Sequence, residues 1–114
     1  MNTIELNNGV KIPQIALGVF QIPENEAAKQ ACLSALALGY RHIDSAHHYY
    51  NEAGLGAAVR EAIAEGSCTR EELFITSKMW VQDMQSYDMA KAAIGASLKK
   101  AAWNIWTSTC FIRR

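Results

Sequence analysis

Strand-like and helix-like segments alternate along the chain, and this alternation constrains the fold more than any other feature. The stretches QIALGVF, YRHID and ELFITSKMW are rich in apolar, β-branched or aromatic residues and resemble strands. Residues 24–38, 51–65 and 86–100 instead carry apolar residues at helical spacing. Repeated strand–helix order is typical of parallel strands joined by helical crossovers. The sequence therefore predicts an α/β fold in which the strand ends GVF, DSA and SKMW meet at one edge of the sheet.

Turn residues mark the boundaries of these segments. TIEL and VKIP flank NNG, and the Asn8 and Gly9 pair predicts the tight turn of an N-terminal β-hairpin. Gly39 and Gly66 follow the first two helical segments, as glycine commonly does at a helix end. The 114 residues are enough for about one domain.

Charge and composition argue against several classes of protein. Lys plus Arg number 11, as do Asp plus Glu, so nothing favours nucleic acid or an anionic membrane as a partner. The start MNTIELNNGV lacks the basic and apolar regions of a secretion signal. Cys32, Cys68 and Cys110 are odd in number and lack metal-like spacing. We interpret them as reduced thiols, which predicts a cytoplasmic protein.

A metal site has weak support. His42, His47, His48 and Glu52 are potential ligands, but only the two adjacent histidines are close in sequence. Side chains of neighbouring residues diverge, and neither HExxH nor a pair of CxxC motifs is present. We therefore predict no metal and expect these imidazoles to pack or form hydrogen bonds.

The glycines of GLG, Gly54 and Gly56, precede a helical run and raise the question of a dinucleotide-binding loop. That motif needs a third glycine, where this chain has Val59, and a strand immediately before it. We instead expect small residues that allow close packing of the helix against a strand.

Three polar residues follow strand-like segments and suggest chemistry. Asp44 ends one strand and is interpreted either as a cap for the next helix or as an ion-pair partner. Lys78 ends another, where a lysine is commonly solvated, but opposite charges at neighbouring strand ends can pair. Tyr49 lies on the loop after the first strand, and a nearby ammonium favours its phenolate form. Together the three could transfer a proton.

The segments GYRHIDSAHHYYNEAGLGAAVREAI and REELFITSKMW resemble the aldo/keto reductases, and the resemblance extends from Ile4 to Lys100. It implies the N-terminal part of a (β/α)₈ TIM barrel in a single incomplete domain. Residues 1–13 would form the hairpin, residues 14–100 three βα units, and residues 101–114 an aberrant tail. It also implies NADPH-dependent reduction of aldehydes or ketones to alcohols by hydride transfer.

The resemblance assigns roles to individual residues. Tyr49 would be the general acid, Lys78 would assist its ionisation, and Asp44 would hold Lys78. Tyr50 is an alternative proton donor, one register position away. Trp80 would line the substrate pocket. The residues implied to bind the cofactor are Gly18, Val19, Phe20 and Asp44.

The tail departs from the family pattern. After ASLKK the resemblance leads us to expect a strand similar to LxYLDLYLIH, which carries the catalytic histidine, but the chain reads AAWNIWTSTCFIRR. When each codon from Trp103 onward starts one base earlier, the tail can read LEYMDFYMFH. We therefore hypothesise a frameshift between Lys100 and Ala102; a genuinely divergent tail is the alternative.

Two classes of function follow. The first is an NADPH-dependent reductase acting on a small-molecule carbonyl substrate. The second is a catalytically inactive fragment of such an enzyme, or an interaction module that self-associates through an open sheet edge. Three βα units would leave such an edge beside the third strand, and unpaired edges readily recruit partners.

Overall fold

A four-stranded parallel sheet forms the centre of the computed structural model, which describes residues 2–46 and 49–101 and the backbone of residues 108–111. In spatial as in chain order, its strands are β3 (Leu17–Gly18), β4 (His42–Asp44), β5 (Phe74–Met79) and β6 (Ser108–Phe111). Every pairing in this sheet is parallel. The predicted α/β fold with parallel strands is therefore confirmed.

The predicted hairpin precedes this sheet and forms a separate two-stranded antiparallel ribbon. Its strands are β1 (Thr3–Glu5) and β2 (Lys11–Pro13). The Asn8 side-chain oxygen accepts the Val10 N–H at 3.1 Å. Gly9 has φ 83°, a left-handed conformation that glycine adopts without steric cost. The Asn-Gly pair thus forms the turn that the sequence predicts.

Three helices connect the strands: α1 (Asn25–Ala37), α2 (Glu52–Ala64) and α3 (Tyr87–Ala101). Their bounds agree with the predicted helices to within one residue at each end. Gly39 and Gly66 lie just beyond α1 and α2 with φ of 96° and 78°, so glycine ends both helices in a left-handed turn. No helix in the described part of the chain is both long and apolar enough to cross a membrane.

The core lies between the sheet and the helices. In α2, Leu55, Val59 and Ile63 recur every four residues, a spacing that predicts one buried face, but the structure follows it only in part. Leu55 and Val59 are fully buried, but Ile63 is exposed and Ala62 is buried in its place. An α-helix has 3.6 residues per turn, so positions four apart drift by about 40° at each step. After two steps Ile63 has rotated off the buried face, and Ala62 has moved onto it.

Strand β6 lies within the tail that the sequence singled out as aberrant. Its backbone pairs with β5 in parallel, with Thr76 opposite Ser108 and Met79 opposite Phe111. The side of β5 that was expected to be an open edge is therefore paired, and among the described residues the sheet ends at β6 instead. Residues 102–107 and 112–114 lie outside the described residues. The pattern missed β6 because the expected strand motif is absent from the tail.

Gly54 and Gly56 allow close packing, but their neighbours are helices and not the strand expected. A Cβ atom at Gly54 would lie 2.2 Å from the backbone oxygen of Asn25 in α1. One at Gly56 would lie 2.1 Å from the backbone oxygen of Ala101 in α3. Atoms do not approach so closely, so the two glycines set the spacing of α2 from both neighbouring helices.

These contacts predict that Gly54→Ala and Gly56→Ala each lower the free energy of unfolding by about 3 kcal/mol, because a backbone must move to accommodate the methyl group. Gly95→Ala is the matched control. A Cβ at this exposed position of α3 meets no atom within 4 Å, so the substitution should stabilise the helix by about 1 kcal/mol. Urea unfolding of the three variants measures these changes. Equal effects of all three would contradict the packing argument.

Candidate active site

The carboxyl ends of β3, β4 and β5, which we call the rim, bring Asp44 and Lys78 together. Lys78 Nζ lies 2.5 Å from Asp44 Oδ2 and donates a second hydrogen bond to the Ser45 backbone oxygen at 2.9 Å. The register of β4 against β5 brings these two side chains together. Asp44 is opposite Thr76 on β5, and Lys78, two residues further on, projects from the same face of the strand.

The pair is partly buried, with the Lys78 and Asp44 side chains 18% and 35% exposed. The residue that precedes α2 as its N-cap is Asn51, so the carboxylate of Asp44 does not serve as that helix's cap. Of the two interpretations of Asp44, ion pairing is the one that the structure supports. Lys78 is likewise an ion-pair partner and not the solvated lysine of the alternative interpretation.

Tyr49 completes the cluster. Its ring centroid lies 5.2 Å from Lys78 Nζ, within the range of a cation–π contact. Its ring also packs against Phe20, with centroids 5.1 Å apart and planes tilted by 50°. Tyr49 is half-buried, whereas Tyr50 is 66% exposed. The structure therefore places the half-buried ring of Tyr49 beside the Lys78 ammonium.

The remaining predicted residues also lie at the rim. Gly18 is opposite Asp44, and the N–H of buried Val19 donates to the Asp44 backbone oxygen at 3.1 Å. Phe20 follows with 47% of its surface exposed. Trp80 is half-buried two residues beyond Lys78, where the short 3₁₀ helix Val81–Met84 begins. His47 and His48 lie outside the described residues.

Two buried polar residues beside the rim were missed as functional residues, although Glu52 had been considered as a metal ligand. Asn51 donates from Nδ2 to the backbone oxygens of Val19 and Ile22, at 2.9 and 3.0 Å. The Glu52 carboxylate accepts hydrogen bonds from the hydroxyls of Ser77 and Ser97, at 2.7 and 2.8 Å. The only feature of the sequence that could have pointed to them was their position at the start of a helix. Polar residues are common there in exposed helices as well, so the position does not predict burial.

The described residues contain no group of three or more His, Cys, Asp or Glu side chains that could hold a metal ion. Several features of the rim fit a cofactor instead. A Cβ at Gly18 would meet no atom within 4 Å, so the space beside it is open. The Ser45 hydroxyl is buried and has no hydrogen-bond partner among the described residues. Exposed Phe20 offers a flat apolar surface, and an unsatisfied buried hydroxyl is the kind of group that a bound ligand can satisfy.

Comparison with known proteins agrees with the resemblance seen in the sequence. The model of the aldo/keto reductase family matches residues 14–108. The oxidoreductase YtbE of Bacillus subtilis is 47% identical over 95 residues, which cover 83% of this chain and 34% of that protein. Glyoxal reductase of Bacillus subtilis is 41% identical over 99 residues, covering 87% of this chain and 34% of that protein.

A solved structure is similar as well. The crystal structure of Bombyx mori aldo-keto reductase AKR2E4 in complex with NADP has a TM-score of 0.83 and 40% sequence identity. The match covers 92% of this chain and 36% of that one. The chain thus spans about a third of the length of the relatives it matches, and its fold is that of part of a TIM-barrel enzyme.

The site geometry predicts energetic coupling between Asp44 and Lys78. In a double-mutant cycle with Asp44→Asn and Lys78→Met, we expect a coupling free energy of about 1–2 kcal/mol, because a partly buried, charge-assisted hydrogen bond is lost. Urea unfolding of the four proteins measures it.

The ion pair between Lys29 and Glu61 is the control for this cycle. Its atoms lie 2.7 Å apart, and its side chains are 26% and 39% exposed, slightly more than those of the rim pair, so water and salt screen its charges more. The coupling between Lys29→Met and Glu61→Gln should therefore be smaller. A rim pair that couples no more strongly than this helix–helix pair would contradict the prediction that Asp44 and Lys78 are energetically coupled.

Proposed function

The chain belongs to the aldo/keto reductase family, and from this premise we propose that it serves the NADPH-dependent reduction of small aldehydes or ketones to alcohols. The observation that carries the proposal is the position of Lys78 Nζ, 2.5 Å from Asp44 Oδ2 and 5.2 Å from the centroid of the Tyr49 ring. The names of two similar proteins support it, since one is a glyoxal reductase and the other was solved with NADP.

In this proposal Tyr49 is the general acid. Its phenol donates a proton to the carbonyl oxygen of the substrate as that oxygen gains negative charge. The Lys78 ammonium stabilises the phenolate that remains, because opposite charges attract strongly in a partly buried site. Asp44 and the Ser45 backbone oxygen hold the ammonium in place by accepting two of its hydrogen bonds.

The rim also provides the residues that would bind the cofactor. Gly18 leaves open space, Val19 and Phe20 follow it along the rim, and Asp44 lies opposite Gly18 on β4. NADPH, when bound, supplies the hydride that reduces the carbonyl carbon. We assign Trp80, beyond Lys78, to the wall of the substrate pocket, where an aromatic side chain excludes water from the reacting groups.

We place this activity in the cytoplasm. Cys32 and Cys68 are buried free thiols, which fits a compartment that keeps thiols reduced. Burial raises the pKa of Cys32 to about 12, so this thiol stays protonated at neutral pH. The thiolate is the reactive form, and Cys32 is therefore unreactive in the folded chain.

An inactive fragment or a self-associating module is the second candidate. The end strands β3 and β6 each lack a strand on one side within the described residues. Such edges are available to another chain. The exposed apolar side chains of Ile15 and Leu38 add to the surface on which copies of the chain could meet.

A titration with NADPH distinguishes the two candidates. With Trp103 and Trp106 replaced by Phe, Trp80 is the sole indole, and we expect its fluorescence to be quenched to a saturating value as NADPH binds. Phe20→Ala should weaken binding roughly tenfold, because an aromatic contact is lost.

Leu38→Ala is the matched control, since Leu38 follows α1 at the opposite end of the sheet and should not affect affinity. Absence of saturable quenching, together with a molar mass above that of one chain by light scattering, would favour the self-associating fragment over the reductase.

The proton donor is tested in a longer protein expressed from the alternative reading frame after Lys100. We expect Tyr49→Phe to lower kcat for a small aldehyde by about 100-fold or more, while NADPH binds as before, because only the transferred proton is missing. Absorbance at the NADPH band measures turnover. Tyr50→Phe is the control and should leave kcat unchanged. If Tyr50→Phe abolished turnover and Tyr49→Phe did not, the assignment of the two tyrosines would be reversed.

A further inference from the structure

The segment that follows β3 has an unusual backbone. Gln21 has φ 61°, a left-handed conformation that residues other than glycine rarely adopt. Its neighbour Phe20 carries the ring that packs against Tyr49. A strained and exposed residue keeps such a conformation only when the surrounding structure holds it there. The backbone closes a turn here, since the Ile22 N–H donates to the Val19 oxygen at 3.4 Å, so further contacts that hold the turn are expected at the residues on either side of Phe20 and Gln21.

Asn51 adds two side-chain contacts to that backbone bond. Its side-chain amide donates one hydrogen bond to the Val19 backbone oxygen and one to the Ile22 backbone oxygen. The two bonds bracket Phe20 and Gln21. Asn51 is fully buried, and its side-chain oxygen has no hydrogen-bond partner among the described residues. The amide group is thus used as a double donor, a role that an aspartate of the same shape cannot fill.

Glu52, the residue after Asn51, connects the start of α2 to the β5 side of the rim. Glu52 is 1% exposed, and its two carboxylate oxygens accept from Ser77 Oγ at 2.7 Å and Ser97 Oγ at 2.8 Å. Ser77 precedes Lys78 on β5. The first turn of α2 is therefore tied to β5 and α3 by Glu52, while Asn51 reaches in the other direction to the segment after β3.

We infer that Asn51 is a positioning residue that holds the strained segment after β3 so that Phe20 stays against Tyr49, with Glu52 anchoring the same turn of α2 to β5. Both hydrogen bonds of the Asn51 amide run to backbone oxygens of the segment after β3. Asn51 acts through Phe20, whose ring packs against the ring of Tyr49. Its value for catalysis rests on the proposed function, whereas the geometry that it maintains needs no cofactor.

The test is an NMR measurement on the 114-residue chain without cofactor. In the unsubstituted chain the rings of Phe20 and Tyr49 should give mutual NOE cross-peaks, as expected for centroids 5.1 Å apart. Asn51→Asp removes both donors, and we expect these cross-peaks to be lost while the methyl signals of Leu55 and Ile75 in the core keep their dispersion. Asn25→Asp is the matched control: Asn25 uses its side-chain oxygen to accept the Gly54 N–H, and aspartate retains that oxygen.

A second measurement separates positioning from a general structural role. If Asn51 holds a strained residue, relief of the strain by Gln21→Gly should reduce the damage done by Asn51→Asp. Asn51→Asp should then raise the unfolding equilibrium constant by a smaller factor in the Gln21→Gly background than in the unsubstituted chain. A residue that merely fills space would show no such dependence on position 21.

Persistence of the ring cross-peaks in Asn51→Asp, or strict additivity of the two substitutions, would overturn the inference. Should Asn51→Asp fail to fold, Asn51→Ser replaces it in both measurements, because its single hydroxyl can serve only one of the two carbonyls; intact cross-peaks there would again overturn the inference. NADPH titration of the same variants is a separate arm. Failure of the unsubstituted chain to bind NADPH counts against the proposed function and leaves the positioning role standing.

Discussion

Parallel pairing of β4 with β3 on one side and with β5 on the other is the constraint on which the rest of the structure depends. The pairing continues past the strand ends, because the Val19 N–H donates to the Asp44 oxygen and the Ser45 N–H to the Thr76 oxygen. β3 and β4 therefore end at the same level, and β5 continues three residues beyond it, to Met79. Residues far apart in sequence then share one rim, and a carboxylate on one strand meets an ammonium on the next.

Because β3 is short, the backbone that follows it needs hydrogen-bond partners that side chains provide. A two-residue strand leaves the following backbone with few sheet hydrogen bonds, and buried carbonyls without donors are costly. Asn51 supplies two donors there. Glu52 is a buried carboxylate that would itself be costly without partners, and the hydroxyls of Ser77 and Ser97 meet that need. Polar side chains at the start of α2 thus replace the contacts that a longer sheet would make.

Local patterns predicted the parts of the molecule that depend on near neighbours. The turn at Asn8 and Gly9, the helix ends at Gly39 and Gly66, and the strand ends at Asp44 and Lys78 could all be inferred from a few consecutive residues. Asn51 could not, because its partners lie about 30 positions away and only the folded chain brings them together. Burial of a polar residue leaves no periodic signal, whereas burial of leucine or valine does.

The local origin of the site also determines what it still lacks. Asp44, Tyr49 and Lys78 lie within the first two strand–helix units and the strand that follows, so their arrangement does not require a closed barrel. The strength of their electrostatic interaction, in contrast, depends on how far the surroundings exclude water. With Asp44 about a third exposed and Phe20 about half exposed, water screens the field of the ion pair. Charge stabilisation in a transition state is strongest where water is excluded. Under the proposed function, a cofactor lying over Gly18 and Phe20 would exclude that water, so that cofactor binding and activation of the proton donor become one event.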